Sequence, residues 1–290
     1  MQQAILVKQL EPKTEAAAEL REWARRIRVE VLKMIHHCPA GHPGGSLSVA
    51  DMVATLYFGV MKVKPKEPDW PERDRLILSK GHACAAVYAA LGLKGYFPAE
   101  EFLKFRRIDG LLEGHPSINI PGIDAPSGSL GMGLSQGLGM ALGARYARKN
   151  LRVYVILGDG DMQEGATWEA LMAAGHHRLD NLCAILDYNR LQAEGRVVDT
   201  MDYEPVADKV RSFRWAVEEV DGHDCGQLLA ALHRAKARKG TPSFVIAHTL
   251  KGKGVSFMED LAQWHGTVPL TAEELARALA EVKGGRMLSQ

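Results

Sequence analysis

The stretch of the sequence best suited to chemistry is the octet GDGDMQEG, from Gly158 to Gly165. It follows an apolar run at residues 153–157 and precedes a helical pattern at 166–178. Asp159 therefore lies where a buried strand ends and a helix begins, the place where open parallel sheets bind ligands. Glycine lets the backbone approach a ligand closely, and a helix N-terminus favours negative charge. Because a carboxylate there would repel a phosphate, the octet suggests a metal ion between the two.

Three other interpretations of the octet compete with a ligand site. It could be an ordinary turn rich in glycine and aspartate. A calcium loop starting at Asp159 would need Gly and Glu at its sixth and twelfth positions, where the sequence has Glu164 and Ala170. A dinucleotide fingerprint would need a third glycine where Gln163 stands. The octet alone leaves the ordinary turn and the ligand site open.

A second polar cluster follows the next apolar run, at residues 182–186. Asn189 comes 30 residues after Asp159, about the length of one strand–helix–strand unit. Adjacent parallel strands end at the same edge of a sheet, so both side chains can face one ligand. Carboxylate and amide oxygens are hard donors that suit Mg²⁺ or Ca²⁺. Two side chains leave an octahedral ion open to phosphate oxygens, so the pair predicts a diphosphate held through a metal.

Strands and helices alternate along the sequence. This pattern predicts the fold class: a parallel sheet with helices on both faces. The predicted strands are residues 75–79, 153–157, 182–186, 215–220 and 243–247. The predicted helices are residues 14–35, 48–61, 83–91, 98–106, 166–178, 203–212 and 226–238, with a last short helix capped by Thr271. We expect one domain over residues 1–290, with an N-terminal arm at 1–12, and an irregular stretch at 108–127.

Composition narrows the class of protein. The chain has 290 residues, 46% of them hydrophobic and 24% charged, with a net charge of +1, so nothing favours nucleic acid as a partner. The uncharged run at 125–144 approaches the length of a membrane span, but its glycines favour a loop entering a tightly packed buried helix. Four widely spaced cysteines and no signal pattern predict a reduced, cytoplasmic protein without a membrane segment.

The combined motifs resemble the transketolase family. The pair Asp159 and Asn189 resembles the signature of thiamine diphosphate enzymes. Four further segments, in family order between residues 41 and 266, resemble transketolases specifically: GHPG from Gly41, LSKGHA from Leu78, GHP from Gly114 with SGSLGMG from Ser127, and the stretch from Lys251 to the WHG at Trp264. The resemblance implies the thiamine diphosphate-binding fold, in its diphosphate-binding module.

The resemblance also implies a role for each matching position. The expected metal ligands are the side chains of Asp159 and Asn189 and the carbonyl of Leu191. The residues expected near the diphosphate are Gly160, His82, Lys251 and His265. The backbone expected to meet the aminopyrimidine ring belongs to Gly128, Ser129 and Leu130. The metal would be Mg²⁺, or Ca²⁺ or Mn²⁺ in its place.

Four histidines are expected to line a substrate channel and to carry the proton transfers of a ketol transfer: His42, His82, His115 and His265. Imidazole exchanges protons with hydroxyl groups near neutral pH, while the carbanion chemistry belongs to the cofactor. We assign the other seven histidines to loops and surfaces. Asp161 and Glu169 are interpreted as helix N-terminal charges. Glu164 either caps the helix or, as in the family, faces an interface close to the cofactor.

A transketolase needs a second module, which binds the pyrimidine ring, supplies an activating glutamate and makes most sugar phosphate contacts. Only 25 residues follow His265, so we expect this module on a separate C-terminal subunit, in an α₂β₂ assembly acting on sugar phosphates. Ser129 and Met132 stand where full-length transketolases usually carry Pro and often Gln. These departures hint at the split branch and leave the substrate preference open, including a branched or sulfonated sugar.

Two other functions remain open at the level of the sequence. One is a component of another thiamine diphosphate enzyme, similar to deoxyxylulose phosphate synthase or to a 2-oxo acid dehydrogenase. The segments at His42 and His115 disfavour it. The other is a non-catalytic binding protein that keeps the fold. The intact Asp159, Asn189 and channel histidines disfavour that interpretation.

Overall fold

The computed structural model describes residues 15–38, 40–266 and 269–284. Its centre is a five-stranded parallel sheet with the strand order β1-β2-β3-β5-β4. The strands are Arg75–Leu78 (β1), Val153–Gly158 (β2), Leu182–Tyr188 (β3), Ala216–Asp221 (β4) and Ser243–His248 (β5). The predicted fold class is confirmed, and each strand ends within two residues of its predicted bounds. The predicted arm at 1–12 lies outside the described residues.

Most of the α-helices fall in segments that the sequence pattern predicts, but Val197–Thr200 was not predicted and the predicted helix at 98–106 is a 3-10 helix, Ala99–Lys104. Within the described ranges the α-helices are Glu15–His36 (α1), Pro43–Ser48 (α2), Ala50–Thr55 (α3), Cys84–Lys94 (α4), Met132–Tyr146 (α5), Gly165–His176 (α6), Val197–Thr200 (α7), Val206–Ser212 (α8), Cys225–Ala237 (α9) and Ala272–Val282 (α10). In this part of the chain, no helix combines the length and apolar character needed to cross a membrane.

Alternate side chains of the central strands enter two separate cores. Tyr154 and Ile156 of β2 pack into the core that contains α1, α3, α4 and α9. Val153, Val155 and Leu157 enter the core that contains α5, α6 and α8. Because both faces are covered, every residue of β2 is buried, as expected for a central parallel strand. The helices therefore lie on both faces of the sheet, as predicted.

The strand register brings several strand ends together. Gly158 at the end of β2 pairs with Asp187 of β3, and Asp187 pairs with Ala247 of β5. β1 pairs with β2 on the other side. All strands are parallel, so the segments that follow β1, β2, β3 and β5 leave the sheet at the same edge. This edge is where the candidate site lies.

Three local features differ from the predictions. α2 begins at Pro43, five residues before the start of the predicted helix 48–61; proline suits the first turn because its fixed φ is already helical. The predicted helix 48–61 is interrupted at Val49 and ends in a π-helical turn at Leu56–Val60. α5 was expected to be a buried helix, but it buries only one face, and Gly139 is exposed.

Two glycines of α5 should respond in opposite directions to the same substitution. A Cβ at Gly137 would lie 2.5 Å from Cγ2 of Val155, whereas a Cβ at Gly139 would have no neighbour within 4 Å. We expect Gly137→Ala to lower the free energy of unfolding by about 1–3 kcal/mol through overpacking. Gly139→Ala should raise it by about 0.5–1 kcal/mol, because alanine loses less backbone entropy in a helix. Urea denaturation of both variants tests this, and equal effects would contradict it.

Candidate active site

Asp187 is the most connected carboxylate at the site edge. It is fully buried and accepts hydrogen bonds from the Ser48 hydroxyl at 2.7 Å and the Asn189 amide at 3.0 Å. It also accepts one from the Thr249 hydroxyl and forms an ion pair with the buried Lys80 ammonium. Burial alone would raise its pKa, but the Lys80 charge and these donors outweigh burial and hold the pKa below its ordinary value. Asp187 is therefore a partner of both Lys80 and Asn189.

The buried carboxylate of Asp161 holds the octet in place through hydrogen bonds. The residue is fully buried, and its carboxylate accepts from the Ser79 hydroxyl at 2.5 Å and from the amides of Gly131 and Gly158, each at 2.8 Å. Burial raises its pKa. Asp161 lies in the first turn of a short 3-10 helix, Asp159–Gln163, and accepts from the amide of Gly158 before it, so it is a helix N-terminal charge as interpreted. Its side chain also turns inward and ties the octet to two other loops. Glu169 is exposed on α6.

Asp159 is buried at the end of β2 and is held by neutral donors. Oδ2 accepts from the amides of Asn189 at 3.2 Å and Arg190 at 3.1 Å, and Oδ1 accepts from the Tyr203 hydroxyl at 2.6 Å. It forms no ion pair with any described residue. Burial, reinforced by the Asp187 carboxylate, raises the pKa of Asp159 to about 6. A buried carboxylate in this state would be stabilised by a nearby cation.

A chain of polar contacts runs from Asn189 across the site. The Asn189 side-chain oxygen accepts from the Leu191 amide at 3.1 Å, and the Leu191 carbonyl accepts from Nζ of Lys251 at 3.0 Å. The same Nζ lies 3.0 Å from Nδ1 of His265. Burial, with the neighbouring Lys80 charge, lowers the pKa of Lys251 to about 8. These contacts place the Lys251 ammonium group beside the Leu191 carbonyl, one of the oxygens expected to bind a metal.

Three of the four predicted histidines form one cluster. The ring centroids of His42, His82 and His265 lie 5.0 to 5.9 Å apart. Burial and neighbouring positive charges lower the pKa of His42 to about 4 and that of His265 to about 3, and they also lower the pKa of His82. These imidazoles are neutral at neutral pH, so they can accept or donate protons.

The remaining predicted residues lie at the rim of the site. His115 is exposed and packs against Gly128, where a Cβ would lie 3.4 Å from its ring. Burial, and after it the charge of Arg106, lower the pKa of His115. Gly128, Ser129 and Glu164 are also exposed. The structure therefore places these four residues on an open surface, outside the histidine cluster.

A cavity of about 220 Å³ lies between the strand ends. Of the predicted site residues, it is lined by His82, Leu130, Asp159, Gly160, Asn189, Leu191, Lys251 and His265. A Cβ at Gly160 would lie 2.9 Å from Cδ1 of Leu130, so any larger residue would require the Leu130 side chain to move. Most of the predicted site residues therefore line one cavity.

The donor set fits a hard metal ion that shares its ligands with a phosphate. Among the residues that the structure describes, no three His, Cys, Asp or Glu side chains are grouped to hold a metal. The Asp159 carboxylate, the Asn189 side chain and Leu191 instead line the cavity, together with Asp161, whose carboxylate is satisfied by its own donors, and the exposed Glu194. Mg²⁺ is typically bound through one or two carboxylates plus substrate phosphates, with no full protein cage. The residues present fit such an ion and, with Lys251, the diphosphate beside it.

Comparison with known proteins decides the family. Residues 20–283 match the family described as "Transketolase, thiamine diphosphate binding domain". The chain belongs to the transketolase family. It is 43% identical to the 6-deoxy-6-sulfo-D-fructose transketolase subunit SqwG of Clostridium sp. (strain MSTE9), over 93% of this chain and 98% of that protein. It is 40% identical to an apulose-4-phosphate transketolase subunit of Phocaeicola vulgatus, over 88% of this chain and 90% of that one.

Solved transketolases contain the same fold within a longer chain. The crystal structure of transketolase from Campylobacter jejuni superposes with a TM-score of 0.86 at 34% identity, covering 91% of this chain but 42% of that one. This transketolase chain therefore corresponds to a whole subunit of some relatives and to about two fifths of others. The resemblance seen in the sequence is confirmed.

Three residues of the site had no predicted role. Lys80 stands inside the recognised LSKGHA segment, but its partner Asp187 is 107 residues away. Asp161 and Tyr203 were assigned to a helix end and to the start of a helix. For Lys80 and Asp161 the signal was a charged residue soon after an apolar run, which does not identify its partner; Tyr203 carried no such signal.

Breaking the Lys80–Asp187 pair should destabilise the transketolase chain strongly. Both side chains are at most 3% exposed, so Lys80→Met leaves a buried carboxylate without its cation. We expect a loss of about 3–5 kcal/mol in the free energy of unfolding. Adding Asp187→Asn should recover part of the loss, and Lys149→Met at the exposed Glu72 pair serves as the control. Urea denaturation measures this; a loss no larger than that of the control would contradict it.

The histidine cluster should lower the free energy of unfolding at acidic pH. The folded pKa of His42 is lowered to about 4 from 6.5, so the unfolded chain binds more protons between these values. Stability is therefore expected to decrease as pH falls from 6.5 to 4. His42→Gln should reduce that decrease by about 1–3 kcal/mol, whereas His233→Gln, on the exposed surface, should not. Unfolding measured across this pH range tests the prediction; parallel curves for H42Q and wild type would contradict it.

Proposed function

We propose that this chain is the cofactor-binding subunit of a two-chain transketolase. It would transfer a two-carbon ketol unit from a ketose phosphate to an aldose phosphate, using thiamine diphosphate and a divalent metal. The observation that carries the proposal is the meeting of Asp159, Asn189, Lys251 and two histidines around one cavity at four adjacent strand ends. The two-chain organisation is supported by relatives that are named as subunits.

The residues divide into binding and proton-transfer groups. Asp159, the Asn189 oxygen and the Leu191 carbonyl would hold Mg²⁺, or Ca²⁺ or Mn²⁺ in its place, and Lys251 would offset the diphosphate charge. Thiamine diphosphate, when bound, supplies the stabilisation of a carbanion. His42, His82 and His265 would exchange protons with the sugar hydroxyls in their neutral forms. His115, at the rim, would meet the sugar nearer the opening.

The exposed part of the site is where the partner would fit. Gly128, Ser129 and Glu164 are exposed. In the proposed assembly the pyrimidine-binding module would cover them and complete the binding of the ring. That module, on a C-terminal subunit, would supply the activating glutamate, in an α₂β₂ assembly. A cytoplasmic location and a place in sugar phosphate metabolism belong to the same proposal.

A specialised sugar is the second candidate, because the two subunit relatives carry the names of a sulfonated and a branched sugar. In the proposed assembly, the partner would make most contacts to the distal part of the sugar. Assaying xylulose 5-phosphate, 6-deoxy-6-sulfo-D-fructose and pyruvate as donors with the partner present separates a general transketolase, a specialised one and another thiamine diphosphate enzyme.

Activity should require both chains. The chain alone, with thiamine diphosphate and Mg²⁺, is expected to show negligible ketol transfer from xylulose 5-phosphate to ribose 5-phosphate. Adding the partner should restore turnover, and Asp159→Ala should reduce it by at least about 100-fold, since even changes outside the ligand shell cost about 10–100-fold. A coupled assay measures this. Full turnover by the chain alone would contradict the two-chain proposal, and normal turnover by the D159A mixture would contradict the metal site.

A further inference from the structure

Tyr203 reaches the candidate metal site from a part of the chain that carries none of the predicted motifs. Its side chain is 5% exposed, and its hydroxyl donates to Oδ1 of Asp159 at 2.6 Å. The residue precedes α8 and belongs to no helix or strand. This hydrogen bond joins residues 44 positions apart in the sequence, so it depends on how the segment before α8 folds back over the octet.

The hydrogen bonds to Asp159 leave a defined opening for a further ligand. A carboxylate has about two acceptor positions on each oxygen. Oδ2 already accepts from the amides of Asn189 and Arg190, so both of its positions are used. Oδ1 accepts only from Tyr203 among the described residues, so one position remains on that atom. The three donors together fix the orientation of the carboxylate and leave Oδ1 as its open atom.

The Tyr203 hydroxyl is itself held in place. Residues 201–204, here called the 201–204 strap, are anchored at both ends. The Gln163 side-chain amide donates to the Met201 carbonyl at 2.6 Å. Nζ of Lys209 donates to the carbonyls of Tyr203 and Glu204, each at 3.0 Å. An anchored strap makes the hydroxyl a preorganised donor, since little freedom remains to be lost when the site is filled.

We propose that Tyr203 is a positioning residue for the metal: its hydroxyl orients Asp159 so that Oδ1 faces the ion. This inference rests on the proposed function, in which Asp159 is a metal ligand. Groups that hydrogen-bond to metal ligands fix the geometry of those ligands, and removing one typically weakens metal binding by about 10–100-fold. Without the hydroxyl, the carboxylate would be held on the Oδ2 side only and could rotate.

Tyr203→Phe removes one oxygen atom and tests the role directly. We would titrate Mn²⁺ into the full chain with saturating thiamine diphosphate and its partner subunit, following free Mn²⁺ by EPR. The dissociation constant of Mn²⁺ should rise about 10–100-fold in Y203F. Tyr154→Phe is the matched control, because the Tyr154 hydroxyl is buried and has no hydrogen-bond partner among the described residues. Its dissociation constant should equal that of the wild type.

The possible results separate the inference from the proposed function. Absence of Mn²⁺ binding by the wild-type assembly would overturn both. Normal wild-type binding with an unchanged or tighter Y203F would overturn only the role of Tyr203. A lower thermal unfolding midpoint of metal-free Y203F with an unchanged Mn²⁺ constant would show a purely structural role and would also overturn it.

If Y203F does not fold, Lys209→Met loosens the strap and keeps the hydroxyl. Weaker Mn²⁺ binding by this variant would support the inference, and unchanged binding would overturn it.

Discussion

The buried ion pair between Lys80 and Asp187 is the constraint on which the site depends. Removing both charges from water is costly, and a pair of this kind persists only when further hydrogen bonds satisfy it. Asp187 meets that condition with donors from Ser48 on α2, from Thr249 after β5 and from Asn189 after its own strand. One carboxylate thereby joins helix α2 to the segments that follow β1, β3 and β5. The cavity exists because these segments are held at fixed positions around it.

The same carboxylate decides which end of the Asn189 amide faces the site. The Asn189 nitrogen donates to Asp187, so the oxygen is turned away from it, toward the Leu191 amide and the cavity. An amide has one accepting and one donating end, and only the oxygen can bind a cation. Lys80 keeps Asp187 charged, and a charged Asp187 can only accept. A contact outside the metal site thus sets the polarity of a predicted metal ligand.

The sequence predicts the strands and their common edge well because a central parallel strand needs a continuous apolar run, and polar residues follow where it ends. Residues near each other in such a motif, such as Asp159 and Gly160, could therefore be placed at the site. Partners far apart in sequence could not: neither the Lys80–Asp187 pair nor the bond from Tyr203 to Asp159 leaves a periodic pattern. Asp161 was placed correctly at the start of a helix, but its bonds to Ser79 and Gly131 were not predicted for the same reason.

The buried charged residues of the site differ in whether another group of the protein compensates their charge. Asp187 is neutralised by Lys80, and Asp161 is satisfied by a hydroxyl and two amides, so neither requires a further cation. In the described part of the chain, Asp159 has hydrogen bonds but no positive partner, and Lys251 donates only to the neutral Leu191 carbonyl and His265. Asp159 and Lys251 thus both line the cavity without an ion pair to any described residue, which is the arrangement that a metal ion and an anion entering together would complete.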